Sequence, residues 1–177
     1  MFRIKVLLLG MLLCFAISVP VHASDGIETA GEVLTFLLPA TAAGLTVGFM
    51  DTKGILQLGE SGALTLGVTY GIKYTINETA PNGDSHSFPS AHTSVSFASA
   101  EFMRKRYGWE YGIPAYVAAI FVAYSRVEAN DHYTNDVIAG AFIGIASSYL
   151  FTHPYQGWHI QPDVGQQYYG IRLSRTW

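Results

Sequence analysis

The chain has 177 residues, which is room for one compact domain and too little for two of ordinary size. Half of the residues are hydrophobic and 13% are charged, against about a quarter in a typical soluble domain, and the mean hydropathy is +0.25; this composition favours a membrane helical bundle over a soluble one. A formal net charge of -3 without any basic tract excludes a nucleic-acid footprint, and the single cysteine, Cys14, excludes an internal disulfide.

The N-terminus has the layout of an export signal. Arg3 and Lys5 form a basic n-region, Val6 to Val19 an apolar h-region, and Val21-His22-Ala23 a small-residue cleavage site. The expected organisation is a signal peptide over 1–23 (or an uncleaved first transmembrane helix), a membrane domain over 24–152, and a polar, aromatic tail over 153–177. Cleaved or not, the segment leaves residue 24 on the outer side.

Five helices follow by apolar content and breakers: Val33 to Met50, Ile55 to Ile76, Ser90 to Tyr107, Tyr111 to Arg126 and Thr134 to Thr152. Each approaches the ~20 residues that span a bilayer core. The third is the most polar, interrupted by Ser94, Ser96, Ser99 and Glu101, although small polar residues are common where membrane helices pack closely. The expected fold is therefore all-α, a transmembrane helical bundle of five spans after signal cleavage or six without it. Alternating the spans from an outer residue 24 puts Lys53, Arg104, Lys105, Arg106, Arg172 and Arg175 inside. Asp25, Glu28, Glu32, Glu78, Asp84, Glu128 and Asp131 fall outside, the positive-inside pattern. Lys73 and Arg126 are the basic residues left near the outer face, and ionisable residues at membrane depth are functional candidates. In the tail, Tyr169, Ile171 and Leu173 alternate as in a short strand.

Three clusters gather at the outer face. Lys73 ends the second helix and is followed by Ala80-Pro81. Ser87-Phe88-Pro89-Ser90-Ala91-His92 opens the third helix. Ser125-Arg126, His132 and Asp136 lie between the fourth and fifth. Pro89-Ser90 before a helical pattern marks a helix N-terminus, whose free N–H groups near Ala91 and His92 bind anions. Lys73 and Arg126 add positive charge, Arg126 as a bidentate fork. His132 and Asp136 share a face if helical, so the carboxylate can hold one ring nitrogen and leave the other free to attack. His92 is a second histidine, available to protonate a leaving oxygen. Taken singly, each feature is also a snorkelling cation, a helix cap or a surface pair. Two histidines and a carboxylate also resemble a metal site, but no third histidine or cysteine has helical ligand spacing to them.

Together the clusters resemble the type-2 phosphatidic acid phosphatase and vanadium haloperoxidase superfamily, whose signature reads K-x6-R-P, then P-S-G-H, then S-R-x5-H-x3-D. The third part is complete in Ser125-Arg126, His132 and Asp136. The second reads Pro89-Ser90-Ala91-His92, and the first keeps Lys73 and Pro81. The resemblance implies that His132 is the nucleophile, Asp136 its orienting partner and His92 the general acid. It implies that Lys73, Ser90, Arg126 and the Ala91 N–H hold the phosphoryl oxygens, without metal or cofactor. It further implies a phosphatase acting on a lipid phosphate or polyprenyl diphosphate through a phosphohistidine, in the bacterial inner membrane with the site facing the periplasm. A lipid phosphotransferase with the same site, or a catalytically weak phospholipid-binding protein, is the alternative. Ala91 replaces the signature glycine and still offers its N–H. Ala80 replaces an arginine, a larger departure, since one lost transition-state donor costs about 2.7–4 kcal/mol in a known oxyanion hole.

Overall fold

The computed structural model describes residues 23–155, 158–165 and 168–175, so the expected signal peptide, apart from Ala23, lies outside the described residues. Among the described residues there are five helices: α1 (Ala23–Gly48), α2 (Thr52–Ile76), α3 (Ala91–Tyr107), α4 (Trp109–Glu128) and α5 (Thr134–Phe151). An antiparallel hairpin follows, β1 (Trp158–Gly165) paired with β2 (Tyr168–Arg175), with Ile160 opposite Leu173 and Pro162 opposite Ile171. The alternation at Tyr169 to Leu173 is thus one strand of a pair, added to an otherwise all-helical chain.

Helix α1 begins at Ala23, well before the expected Val33. Glu28 and Glu32 lower the hydropathy of this stretch, which is why it was not expected as part of the span. Arg126 reaches over from α4, its Nη2 donating to the Glu28 carbonyl at 2.8 Å. The other helices lie close to their expected positions. Asp51 caps α2, accepting from Gly54 N at 2.9 Å, and Ser90 caps α3.

Helix α3 is the axis of the bundle and packs against each of the other four helices. Most of its side chains are buried, including Ser94, Ser96, Ser99 and Glu101. Apolar packing gathers toward its C-terminal half, where Phe97, Phe102, Met103 and Tyr107 meet Leu38 and Ala42 of α1 and Ala115, Ala119 and Val122 of α4. Elsewhere the interior is lined by small polar groups such as Thr46, Ser61, Thr65, Thr69 and Ser148, while Phe36, Val47, Leu56, Ile113, Val117, Phe142 and Leu150 face outward. By length and composition, one helix among the described residues, Gly26–Gly48, is apolar enough to cross a membrane, where five had been expected. The physical reason is this polar lining together with charge. Polar side chains lower the mean hydropathy of α2 and α5, whose outer faces are apolar, while charged residues do so on α3 (Glu101, Arg104, Lys105, Arg106) and α4 (Glu110, Arg126, Glu128).

At the end where α2 begins and α3 finishes, a buried ion pair ties the chain together. Arg106 Nε donates to Asp51 Oδ2 at 2.7 Å and its Nη2 to Oδ1 at 2.5 Å, while Tyr107 Oη donates to Oδ2 at 2.9 Å. The free edge of the same guanidinium, Nη1, donates to the carbonyls of His153 at 2.7 Å and Pro154 at 3.1 Å, anchoring the exit from α5. Removing one partner of such a pair typically costs about 3–5 kcal/mol, because the other charge stays buried alone.

At the opposite end, α5 meets α3 backbone to backbone. A Cβ on Gly140 would stand 2.5 Å from the Ser90 carbonyl oxygen, and one on Gly144 would stand 2.2 Å from that of Ser94 and 2.8 Å from Ala98 N. Small residues four apart permit this approach. Gly144→Ala should therefore cost about 1–3 kcal/mol by overpacking against backbone that cannot give way, lowering the unfolding temperature in detergent by several degrees. Gly67→Ala, whose added methyl meets nothing within 4 Å, should leave it unchanged or raise it slightly. Equal behaviour of the two variants would contradict the close α3–α5 approach.

Candidate active site

The site lies at the end of the bundle where α2 and α4 finish and α3 and α5 begin. Its first group is built on the loop before α5. Asp136 stands in the first turn of α5 and is buried, with its Oδ2 accepting from Tyr133 N at 3.0 Å. The same oxygen is 3.4 Å from His132 Nδ1 and also accepts from the Ser87 hydroxyl. Ser87 Oγ is in turn 3.2 Å from His132 Nδ1. Nδ1 is thus engaged by a carboxylate and a hydroxyl, and Nε2 is the ring nitrogen left for chemistry. Burial, and after it the nearby Lys73 cation, hold the His132 pKa below the ordinary histidine value against the opposing pull of Asp136. Both influences favour the neutral ring, the form whose Nε2 lone pair is available.

Lys73, in the last turn of α2, donates from Nζ to the Ser87 carbonyl at 3.1 Å and to that of His86. It fixes the loop that carries Ser87 and places its charge within electrostatic reach of Asp136 and His132. Ser90 donates its N–H to the Asp136 carbonyl at 3.0 Å, binding the start of α3 to the start of α5. Its side chain is fully buried and its Oγ accepts from Thr93 N at 3.4 Å and Thr93 Oγ1 at 3.1 Å, so its hydroxyl oxygen serves the helix end. Ala91 and His92 open the helix, where N–H groups have no partner within the helix and the dipole is positive.

The second group centres on Arg126, which is only 3% exposed. Nη1 lies 3.2 Å from Asp131 Oδ2 and 3.4 Å from Glu32 Oε2, and its backbone carbonyl accepts the N–H of His132 at 3.2 Å. Glu32 Oε2 also lies 3.1 Å from His92 Nε2. Helix α1 approaches α4 closely enough for this because residue 31 is glycine, where a Cβ would meet Ser125 Oγ at 1.9 Å.

The residues singled out from sequence thus fall into two connected groups: His132, Asp136, Lys73 and Ser90 joined through the Ser87 loop, and His92 and Arg126 joined through Glu32. Ser87 and Glu32 received no role from sequence. Ser87 is adjacent to the Pro89-Ser90-Ala91-His92 cluster, and that nearness was its one signal. Glu32 lies far from its partners along the chain and carried no signal. Ala80 is buried in a tight turn, donating its N–H to the Asp84 carbonyl at 2.7 Å and accepting from Gly83 N at 3.0 Å. The next residue but one, Asn82, donates its N–H to the Asn130 carbonyl at 3.1 Å, so this turn leans on the loop bearing Asp131 and His132. Among the described residues, no group of three or more His, Cys, Asp or Glu side chains is placed to hold a metal ion.

A neutral histidine with a free nitrogen, a second histidine held by a carboxylate, two cations and a helix N-terminus form a constellation suited to phosphoryl transfer. Comparison with known proteins agrees. The profile of the PAP2 superfamily matches residues 54–160. The chain is 30% identical to the lipid A 4'-phosphatase of Helicobacter pylori strain J99 over 170 residues, covering 85% of each protein. It is 36% identical over 88 residues to the lipid A 1-phosphatase of Porphyromonas gingivalis, 47% of this chain and 20% of that one. The crystal structure of Aquifex aeolicus LpxE superposes with a TM-score of 0.60 at 20% identity, over 79% of this chain and 92% of that one, which is a likeness of fold. The chain belongs to the PAP2 superfamily and is a membrane lipid phosphatase of that family.

Proposed function

We propose that the protein hydrolyses a phosphate ester on the sugar head group of a lipid A-type glycolipid, through a phosphohistidine at His132, at the outer face of the bacterial inner membrane. The observation that carries this reading is the hold of Asp136 and Ser87 on His132 Nδ1, which leaves Nε2 to attack. Nε2 bonds to phosphorus as the ester P–O bond breaks, and the electron pair leaves with the sugar oxygen. His92 gives that oxygen a proton. Water then attacks the phosphohistidine, His92 takes the proton from it, and phosphate departs. Lys73, Arg126 and the N–H of Ala91 stabilise the charge on the phosphoryl oxygens. The choice of lipid rests on the likeness to the lipid A 4'-phosphatase across most of both chains.

The same reading has all five helices crossing the membrane. Apolar side chains on the outside of the bundle and hydroxyls within it suit a lipid surround. Lys53, Arg104, Lys105 and Arg106 lie at the end opposite the site, which supports an outward-facing site by the positive-inside rule.

The first test is phosphate release by purified protein in detergent with EDTA present, from lipid A, undecaprenyl diphosphate, phosphatidylglycerophosphate and phosphatidic acid. Lipid A should be the best substrate, and His132→Ala should abolish turnover together with any trapped phosphoenzyme. An active His132→Ala protein, or reversible inactivation by EDTA, would refute the mechanism. Preference for another lipid would refute the substrate.

A second expectation concerns pH. His132 attacks only when unprotonated, and its pKa is held down, so the acidic limb of kcat/KM should lie below the ordinary histidine value of about 6.5. Lys73→Met removes a cation that lowers this pKa. The pKa should then rise and the acidic limb should move to higher pH, with kcat falling at least ~10²-fold for the lost donor. The ionisation of the substrate is common to both proteins. An unmoved limb would show that Lys73 does not act on His132.

A third expectation concerns Ala80. Ala80 is 5% exposed in a turn braced by backbone hydrogen bonds, so a longer side chain there would have to displace its neighbours or reshape the turn. Ala80→Arg should lower kcat/KM on the best substrate, the mark of a re-specialised loop. A rise would identify instead a weakened site that the arginine repairs.

A further inference from the structure

Each of the two histidines has a carboxylate of its own, and the two are unlike. Asp136, beside His132, is buried and fixed by a backbone N–H. Glu32, beside His92, comes from α1, is about half exposed, and lies outside all three parts of the signature. Its Oε2 lies between His92 Nε2, at 3.1 Å, and Arg126 Nη1, at 3.4 Å.

Resting on the phosphohistidine reading above, we infer that Glu32 is a positioning residue for His92: its carboxylate holds Nε2–H and so assigns Nδ1 to exchange the proton with the leaving oxygen. The chemistry of the ring supports this. As an imidazolium, His92 carries protons on both nitrogens, and the carboxylate stabilises that cation. When Nδ1 gives its proton to the sugar oxygen, the neutral tautomer left behind has its proton on Nε2, still donated to Glu32. The same hydrogen bond therefore serves the ring before and after transfer, and the ring keeps its orientation. When water attacks the phosphohistidine, Nδ1 takes a proton and the cation re-forms against the carboxylate. The charged groups around His92 are Glu32 from α1, Arg126 at the end of α4, and Asp131 and His132 from the following loop. Arg126 opposes the imidazolium. Glu32 is the carboxylate bonded directly to the ring, and Asp131 is engaged by Arg126.

The test is Glu32→Gln, which keeps the shape and removes the charge. On the lipid substrate, whose alkoxide leaves poorly without a proton, kcat should fall at least about tenfold, part of the ~10²–10⁴ that an acid supplies. The alkaline limb of kcat should move to lower pH, because the imidazolium has lost its counter-charge. The pre-steady-state burst of p-nitrophenol from p-nitrophenyl phosphate should change little, since that leaving group departs without protonation. With His92→Ala already present, Glu32→Gln should cause no further loss. Three results would overturn the inference: equal losses in the lipid kcat and in the p-nitrophenol burst rate with an unmoved pH limb, additive losses in the double variant, or a lower KM with unchanged kcat. The last would make Glu32 a competitor for the phosphate site. A normal burst in Glu32→Gln shows that the His132 chemistry stands whatever the fate of Glu32. Absence of a burst and of phosphoenzyme in the unaltered protein would instead sink the phosphohistidine reading itself. Should Glu32→Gln fail to fold, Glu32→Asp keeps the charge at a shorter reach. It should then show a smaller selective loss on the lipid with the pH limb retained, and a loss shared by both substrates would count against the inference.

Discussion

The backbone contact between α3 and α5 sets the position of almost everything else at the end of the bundle that holds the candidate site. Because residues 140 and 144 have no Cβ, α5 lies directly on the carbonyls of Ser90 and Ser94. That brings the Asp136 carbonyl onto the N–H of Ser90, and the Asp136 side chain onto Ser87 and His132. The anion-binding start of one helix and the carboxylate at the start of the next are therefore held in one rigid unit. A larger side chain at either glycine would move the start of α3 away from Asp136 and His132.

The other end of the molecule is held by charge. The Asp51–Arg106 pair joins the turn between α1 and α2 to the last turn of α3 and to the chain leaving α5. Buried pairs of this kind are weak sources of net stability, but they forbid alternative packings because a misplaced partner leaves a bare charge. Between the two ends, α3 carries hydroxyls toward the site and aromatic rings toward the clamp. The division suits its two tasks. Small polar residues allow the close approach of α5, and large rings such as Tyr107, stacked on Phe49 with centroids 5.0 Å apart, fill the wider space below.

The electrostatics of the site follow from this scaffold. Lys73 brings positive charge near His132, and Arg126 faces two carboxylates, Asp131 and Glu32. The loop from 77 to 87, in which Ala80 is buried, braces the segment that presents His132 through Asn82 and Ser87.

Much of this was legible in the sequence, for definite reasons. The helices were readable because apolar runs and breakers are local, and the candidate residues Lys73, His92, Arg126, His132 and Asp136 were singled out because their joint order and spacing resemble a family signature. The sorting of charge was likewise a property of the linear chain. The start of α1 was not readable, because Glu28 and Glu32 argue against a span on hydropathy, while Arg126, which arrives from α4, meets the Glu28 backbone carbonyl and the Glu32 carboxylate. Nor was the role of Ser87, whose hydroxyl meets Asp136 only after α5 has settled on α3. The surroundings of Ala80, buried in a turn closed by Gly83 and Asp84, were not readable either. Above all, the pairing of Glu32 with His92 belongs to the tertiary structure alone. A motif records residues that share a local segment, whereas a side chain brought in on a separate helix is fixed only by how closely that helix can approach, here through Gly31 against Ser125.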